Sequence, residues 1–159
     1  MRYEDITSGY IRTGEDYEDA IMLLCEEFPD HAQQNTRLDF YDYTIITKCA
    51  GKVTGLVTAN KYLPHKVMIC DIVIAPEHRG RAVGMKLLHT LTQKVKLDGY
   101  KYITGFTNKK NREALSLYKK LGGHQEEMIV TTADLDETMA IMEQKEMVLK
   151  ARQKNNKRG

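Results

Sequence analysis

One stretch constrains this chain more than any other: residues 72–86, Ile-Val-Ile-Ala-Pro-Glu-His-Arg-Gly-Arg-Ala-Val-Gly-Met-Lys. A β-branched run stops at Pro76, which cannot donate to a sheet ladder. A basic, glycine-containing turn follows, and then an apolar pattern at helical spacing through Val83, Leu87, Leu88, Leu91 and Val95. Strand, turn and helix N-terminus in this order form an anion cradle. The first-turn N–H groups of a helix have no intrahelical acceptor, and the helix dipole adds roughly half a positive charge there. Gly80 allows close backbone approach, and Arg79 and Arg81 add formal charge. The expected ligand is a diphosphate.

Two diphosphate motifs do not fit. A mononucleotide P-loop ends in Gly-Lys-Ser/Thr, which this chain lacks. A dinucleotide fingerprint needs Gly-x-Gly-x-x-Gly with an acidic residue about 20 positions on, and this turn has only Gly80 and Gly84. The segment resembles instead the acyl-CoA signature of the GNAT superfamily of N-acyltransferases, Arg/Gln-x-x-Gly-x-Gly/Ala. Arg79, Ala82 and Gly84 occupy the three defined places. Ala82 stands where the family usually has glycine, a departure that is tolerated if the residue has helical dihedrals.

A second segment, Asn111-Arg-Glu-Ala-Leu-Ser-Leu-Tyr118-Lys-Lys-Leu-Gly122, resembles the family's other diagnostic stretch. Ala114, Leu117, Tyr118 and Leu121 share one helical face, and Gly122 or Gly123 suits the C-terminal cap. Taken alone, Tyr118 reads as a packed aromatic; the order of both motifs favours a functional role. Gly123 stands where an aromatic usually follows, a change expected to loosen packing beneath the acyl site. The resemblance spans residues 40–132.

Elsewhere the pattern predicts a short strand at 10–12 and a helix capped by Thr13, with Tyr17, Ala20, Ile21, Leu24 and Phe28 on one face. A hairpin is expected over 41–50 and 53–62, then strands at 67–75, 101–107 and 128–132 and a helix over 81–97. Asp134 with Glu137 reads as a capping box before a helix over 135–152, although the resemblance would put a closing strand near Met147. The fold class is therefore α/β, a GNAT-like mixed central sheet flanked by helices, with a C-terminal helix. We expect one N-acetyltransferase domain at 1–149 and a basic, disordered tail at 150–159.

Charge is divided unevenly. The first 42 residues carry eleven acidic and three basic residues, net −8, and the remaining 117 are net +10. A basic half suits an anionic cofactor. The resemblance makes the N-terminal helices the acceptor wall, so the acidic half would face a cationic amine; these carboxylates read equally well as a solvated helix face. Cys25, Cys49 and Cys70 form neither a disulfide framework nor a zinc pattern and fit a cytoplasmic protein. No metal is expected. No apolar run is long enough to cross a membrane, and the first residues lack a signal-peptide core.

The resemblance implies that acyl-pantetheine lies between two splaying parallel strands and pairs with the backbone of Ile72, Val73 and Ile74 by strand addition. The diphosphate would meet Gly80, Arg81, Ala82, Val83, Gly84 and Met85, with Arg79 and Asn111 completing the cofactor site. Lys86, Lys109, Lys110 and Arg112 are candidates for the outer phosphate. Tyr118 would be the general acid for the leaving thiolate, since a phenol with a pKa near 10 is protonated at neutral pH. Some relatives carry a glutamate base on the strand before the asparagine helix, but here that strand, Tyr102-Ile-Thr-Gly-Phe-Thr, has no carboxylate. Asp71 is the candidate base; a hydrogen-bonded structural role for it, and a water chain in its place, remain open.

The expected function is acetyl-CoA-dependent N-acetylation of a primary amine, a small cationic amine or a peptide or protein amine, by direct transfer in a ternary complex. The alternative is a catalytically silent acyl-CoA-binding sensor or interaction domain. A homodimer is left open. The tail's five positive charges read as a solubilising end rather than a nucleic-acid site.

Overall fold

The computed structural model describes residues 2–156 and divides into two compact units, Met1–Asn111 and Arg112–Gly159. In the first, β1 (Thr7–Tyr10), β2 (Tyr43–Cys49), β3 (Lys52–Leu63) and β4 (Lys66–Ile74) make an antiparallel meander. β5 (Tyr102–Gly105) joins β4 in parallel, giving the spatial order β1-β2-β3-β4-β5. A parallel neighbour requires a crossover. Helix α3 (Val83–Leu97) supplies it. Helices α1 (Gly14–Glu27) and α2 (Pro29–Gln33) fill the connection from β1 to β2. The mixed sheet flanked by helices is the expected fold, and the first strand falls a few residues earlier than its pattern suggests.

Thr13 caps α1 as anticipated, its hydroxyl accepting from the Asp16 N–H at 3.1 Å. Below the cap, Ala20, Leu23 and Leu24 meet Leu38, Ile46, Leu56, Val73 and Ala75 in one buried cluster, with Tyr17 and Ile21 packed at its edge. Successive strand residues point to opposite faces, so Gly55, next to Leu56, belongs to the other layer. A Cβ built on Gly55 would stand 2.9 Å from both Leu87 Cδ1 and Val83 Cγ1, and 2.8 Å from Thr47 Oγ1. Glycine here is a packing requirement: it lets the first turns of α3 lie close on β3. The start of α3 is thereby fixed beside the end of β4.

The second unit contains α4 (Arg112–Lys120) and α5 (Leu135–Asn156). α4 ends in a Schellman motif. Gly122 takes φ +80°, its N–H reaches the Lys119 carbonyl, and the Gly123 N–H reaches the Tyr118 carbonyl, both at 3.0 Å. A Cβ on Gly123 would lie 2.8 Å from that carbonyl oxygen. The absence of an aromatic at 123 is therefore part of the cap geometry. Asp134 caps α5 through Oδ1, which accepts from the Glu137 N–H at 3.0 Å.

Two expectations fail in this unit. The segment 128–132 is irregular rather than a strand, and Ile129 is 95% exposed. A β-branched run becomes a strand only when a neighbour takes up its backbone groups, and no ladder reaches it among the described residues. α5 also continues through Asn156, past Lys150, where the disordered tail was expected to begin. The run from Lys150 to Asn156 is rich in helix formers that extend an existing helix at little cost.

Candidate functional site

The β4–β5 ladder runs from Lys66 opposite Tyr102 to Ile69 opposite Gly105 and stops there, while β4 continues to Ile74. Residues 70–74 keep β3 on one side and have no strand partner on the other among the described residues. A β-bulge helps open the gap: Thr58 faces Asp71 and Ala59 faces Ile69, so Cys70 is the extra, exposed residue. An unpaired edge of this kind is a template for an extended, amide-bearing ligand. Ile72, Val73 and Ile74, which the family resemblance makes the acyl-pantetheine partners, lie on this edge.

The turn after β4 leads directly into α3. Gly80 has φ +73° with open space around its Cβ position, so its conformation, not crowding, is what favours glycine. Ala82 corrects the sequence expectation: it takes φ +62° and ψ +12°, the left-handed region, instead of right-handed helical dihedrals. It is the residue before α3, and its carbonyl accepts the Lys86 N–H at 3.0 Å. No side chain caps this helix. The N–H groups of Val83, Gly84 and Met85 thus form the free positive end of a 15-residue helix.

Arg79 is already engaged. Its Nε donates to the Ile74 carbonyl at 3.2 Å and its Nη2 lies 3.0 Å from Glu27 Oε2, latching the end of α1 to the end of β4. The side chain shapes the turn's entry as well as charging it. Lys86, another phosphate candidate, sits with its ammonium 4.4 Å from the centre of the Tyr3 ring.

Asp71 sits on the α1 side of β4, in a polar cluster that no motif announced. His31 Nε2–H donates to Asp71 Oδ1 at 3.0 Å, and the Thr58 hydroxyl donates to Oδ2 at 2.7 Å. The Tyr41 phenol has its pKa pushed up to about 12, by burial first and by the Asp71 charge second. On the far side of the imidazole, Thr36 Oγ1 lies 2.8 Å from Nδ1. In the tautomer that gives Nε2–H to the carboxylate, Nδ1 accepts the hydrogen bond from the Thr36 hydroxyl. The pair is nearly closed to solvent, 19% and 11% exposed at the two side chains. His31, Thr36, Tyr41 and Thr58 are contributed by α2, the loop after it and strand β3, so sequence proximity gave no sign of them.

Asn111 ends the first unit and Tyr118 belongs to the second, on the half-buried face of α4. The acidic N-terminal segment is partly used internally. Asp16 is buried and paired to Lys48 across 2.7 Å, whereas Glu15 and Glu18 are exposed.

Comparison with known proteins agrees with this geometry. The sequence model of the acetyltransferase (GNAT) family matches residues 11–123. The chain belongs to that family. It is 28% identical over 116 residues to the L-2,4-diaminobutyric acid acetyltransferase of Shouchella clausii (strain KSM-K16), covering 70% of this chain. The chain spans 57% of that relative's length. Among solved structures, the aminoglycoside acetyltransferase AAC(6′)-Iy in complex with a CoA-S-monomethyl-acetylneamine bisubstrate analogue superposes with a TM-score of 0.68. It has 16% identity, over 81% of this chain and 97% of that one. The IAA acetyltransferase from Bacillus cereus ATCC 14579 gives a TM-score of 0.61 at 24% identity, covering 73% and 75% of the two chains. These structural likenesses establish a shared fold. No helix among the described residues is long and apolar enough to cross a membrane.

Proposed function

We propose that this chain is an N-acetyltransferase that moves an acetyl group from acetyl-CoA directly to a primary amine within a ternary complex. The observation that carries this reading is the continuity of the open β4 edge with the uncapped N-terminus of α3. One short segment offers strand pairing to a pantetheine arm and, next to it, N–H groups to a diphosphate. Ile72, Val73 and Ile74 hold the arm, and backbone N–H groups of this strand polarise the thioester carbonyl. Gly80, Arg81, Ala82, Val83, Gly84 and Met85 surround the diphosphate, with Arg79 fixing the turn. Asn111 completes the cofactor site, and Tyr118 supplies the proton to the leaving thiolate.

We read residues 1–149 as the transferase domain and the cytoplasm as its compartment. The acceptor is a small cationic amine, in keeping with the diaminobutyric acid and aminoglycoside acetyltransferases that the chain resembles. Assay of thiol release from acetyl-CoA against 1,4-diaminobutane, L-2,4-diaminobutyrate, kanamycin and a lysine-containing peptide tests this. The expected result is amine-dependent thiol release with at least one small amine, together with a rise in melting temperature on adding acetyl-CoA. Stabilisation by acetyl-CoA without thiol release for any amine would replace the enzyme by a silent acyl-CoA-binding domain.

A further inference from the structure

The polar cluster behind β4 has a direction. Three of its groups are linked in series, hydroxyl to imidazole to carboxylate: Thr36 Oγ1 at 2.8 Å from His31 Nδ1, and His31 Nε2 at 3.0 Å from Asp71 Oδ1. One end, Thr36, is partly open. The other end precedes Ile72 on the edge offered to the acyl arm. The other carboxylate oxygen, Oδ2, is taken by the Thr58 hydroxyl at 2.7 Å. Each carboxylate oxygen therefore has a side-chain donor, His31 at Oδ1 and Thr58 at Oδ2, so Asp71 is built as a fixed negative charge that holds the ring. This arrangement is more ordered than burial alone requires, because apolar residues would fill the same layer without the cost of desolvating a carboxylate.

We propose that Thr36, His31 and Asp71 form a proton relay that deprotonates the acceptor ammonium, Thr36 touching the amine, His31 taking the proton and Asp71 positioning the ring. The proposal rests on the N-acetyltransferase reading and supplies the base that reading lacks. An ammonium N–H donates to Thr36 Oγ1. As that proton transfers, the hydroxyl proton passes to His31 Nδ1, leaving a neutral amine and an imidazolium against the Asp71 carboxylate. The amine lone pair then forms the C–N bond to the thioester carbon. The C–S bond breaks, and the thiolate takes the Tyr118 proton. The second amine proton restores the phenol, and His31 returns its proton to water through Thr36. One proton leaves the site per acetyl group transferred.

The test compares two acceptors in the full chain, the alkylamine of the panel above that turns over fastest and hydrazine. Both are assayed at an alkaline pH above the pKa of hydrazinium and below that of the alkylammonium, so that hydrazine is neutral and the alkylamine still charged. His31→Gln keeps an N–H donor for Asp71 but cannot accept a proton. Its turnover with the alkylamine should fall by about 10²-fold or more, the range for general base catalysis, and the alkylamine-to-hydrazine ratio should fall by a similar factor. Thr36→Val should behave likewise, and Thr36→Ser should restore the alkylamine rate. Equal losses for both acceptors, or no loss with the alkylamine, would overturn the relay while leaving the transferase reading intact. A wild-type chain that releases thiol with no amine overturns both.

Discussion

Lys48 Nζ lies 2.7 Å from Asp16 Oδ1 and ties the first turn of α1 to strand β2. The hydrogen bond from Lys48 is the main reason the Asp16 carboxyl is held below the usual carboxylate range; its burial opposes the shift, and the Lys48 charge and the Thr13 hydroxyl add to it. A depressed folded-state pKa contributes stability that is present above the unfolded value, near 4, and is lost as pH falls through the folded one. Asp16→Asn should lower the melting temperature at neutral pH. The gap from wild type should narrow below pH 4, where the wild-type carboxyl also becomes protonated. Thermal melts across acid pH check this; a gap independent of pH would assign the loss to packing.

That engagement leaves Glu15, Glu18 and Asp19 as the carboxylates able to steer a cationic acceptor. Exposed charges reach only about 8 Å at 0.15 M ionic strength. Replacing these three by the corresponding amides should raise KM for the amine, and kcat/KM should fall as salt rises. The assay must be run at saturating acetyl-CoA, because salt also weakens phosphate binding. An unchanged amine KM would reduce the three to a solvated helix face.

Gly55 tests how α3 is seated. Any side chain at 55 would press on Val83 and Leu87, the residues that bring the helix N-terminus to the sheet. Gly55→Ala should destabilise the fold by about 1–3 kcal/mol, the usual cost of overpacking, which is a drop of roughly 2–4 °C per kcal/mol for a chain of this size. The acetyl-CoA dissociation constant should rise as well, since the helix start shifts. Loss of stability with unaltered affinity would separate α3 seating from cofactor binding.

Much of this architecture was legible because it is local. The strand–turn–helix at 72–86, the Thr13 cap and the glycine ending α4 each depend on residues a few positions apart, and their patterns fix their geometry. Residues whose partners lie far away were not legible. The His31–Asp71 bond spans forty positions and the Arg79–Glu27 bond fifty-two, so neither leaves a spacing to read. The bulge at Cys70 is a property of the register between two strands. The run at 128–132 shows the opposite failure, since strand propensity was present and a ladder partner was absent among the described residues.

Ala82 carries a strain that the family's usual glycine would not. A left-handed alanine costs about 1–2 kcal/mol, against roughly 0.5–1 kcal/mol for the extra freedom of glycine in the unfolded chain. Ala82→Gly should therefore stabilise the protein by about 0.5–1 kcal/mol, and Ala82→Val should destabilise it. Urea titration of both variants measures the difference. A glycine variant less stable than wild type would show that the backbone at 82 relaxes when α3 is not strained against it.

Tyr118 decides whether the second motif is chemical or structural. The phenol is the acid assigned to the leaving thiolate, and Tyr118→Phe removes one oxygen while leaving the ring on the half-buried face of α4. Turnover should fall by about 10²-fold or more, within the range for general acid catalysis. Cofactor binding should hold: acetyl-CoA at a hundredfold its dissociation constant should still stabilise the variant by about 2.7 kcal/mol, as it would the wild type. The two readouts move separately if the hydroxyl acts only on the departing sulfur. Retained turnover would make Tyr118 a packed aromatic. Loss of turnover together with loss of the acetyl-CoA shift would place the hydroxyl in cofactor binding instead of proton transfer.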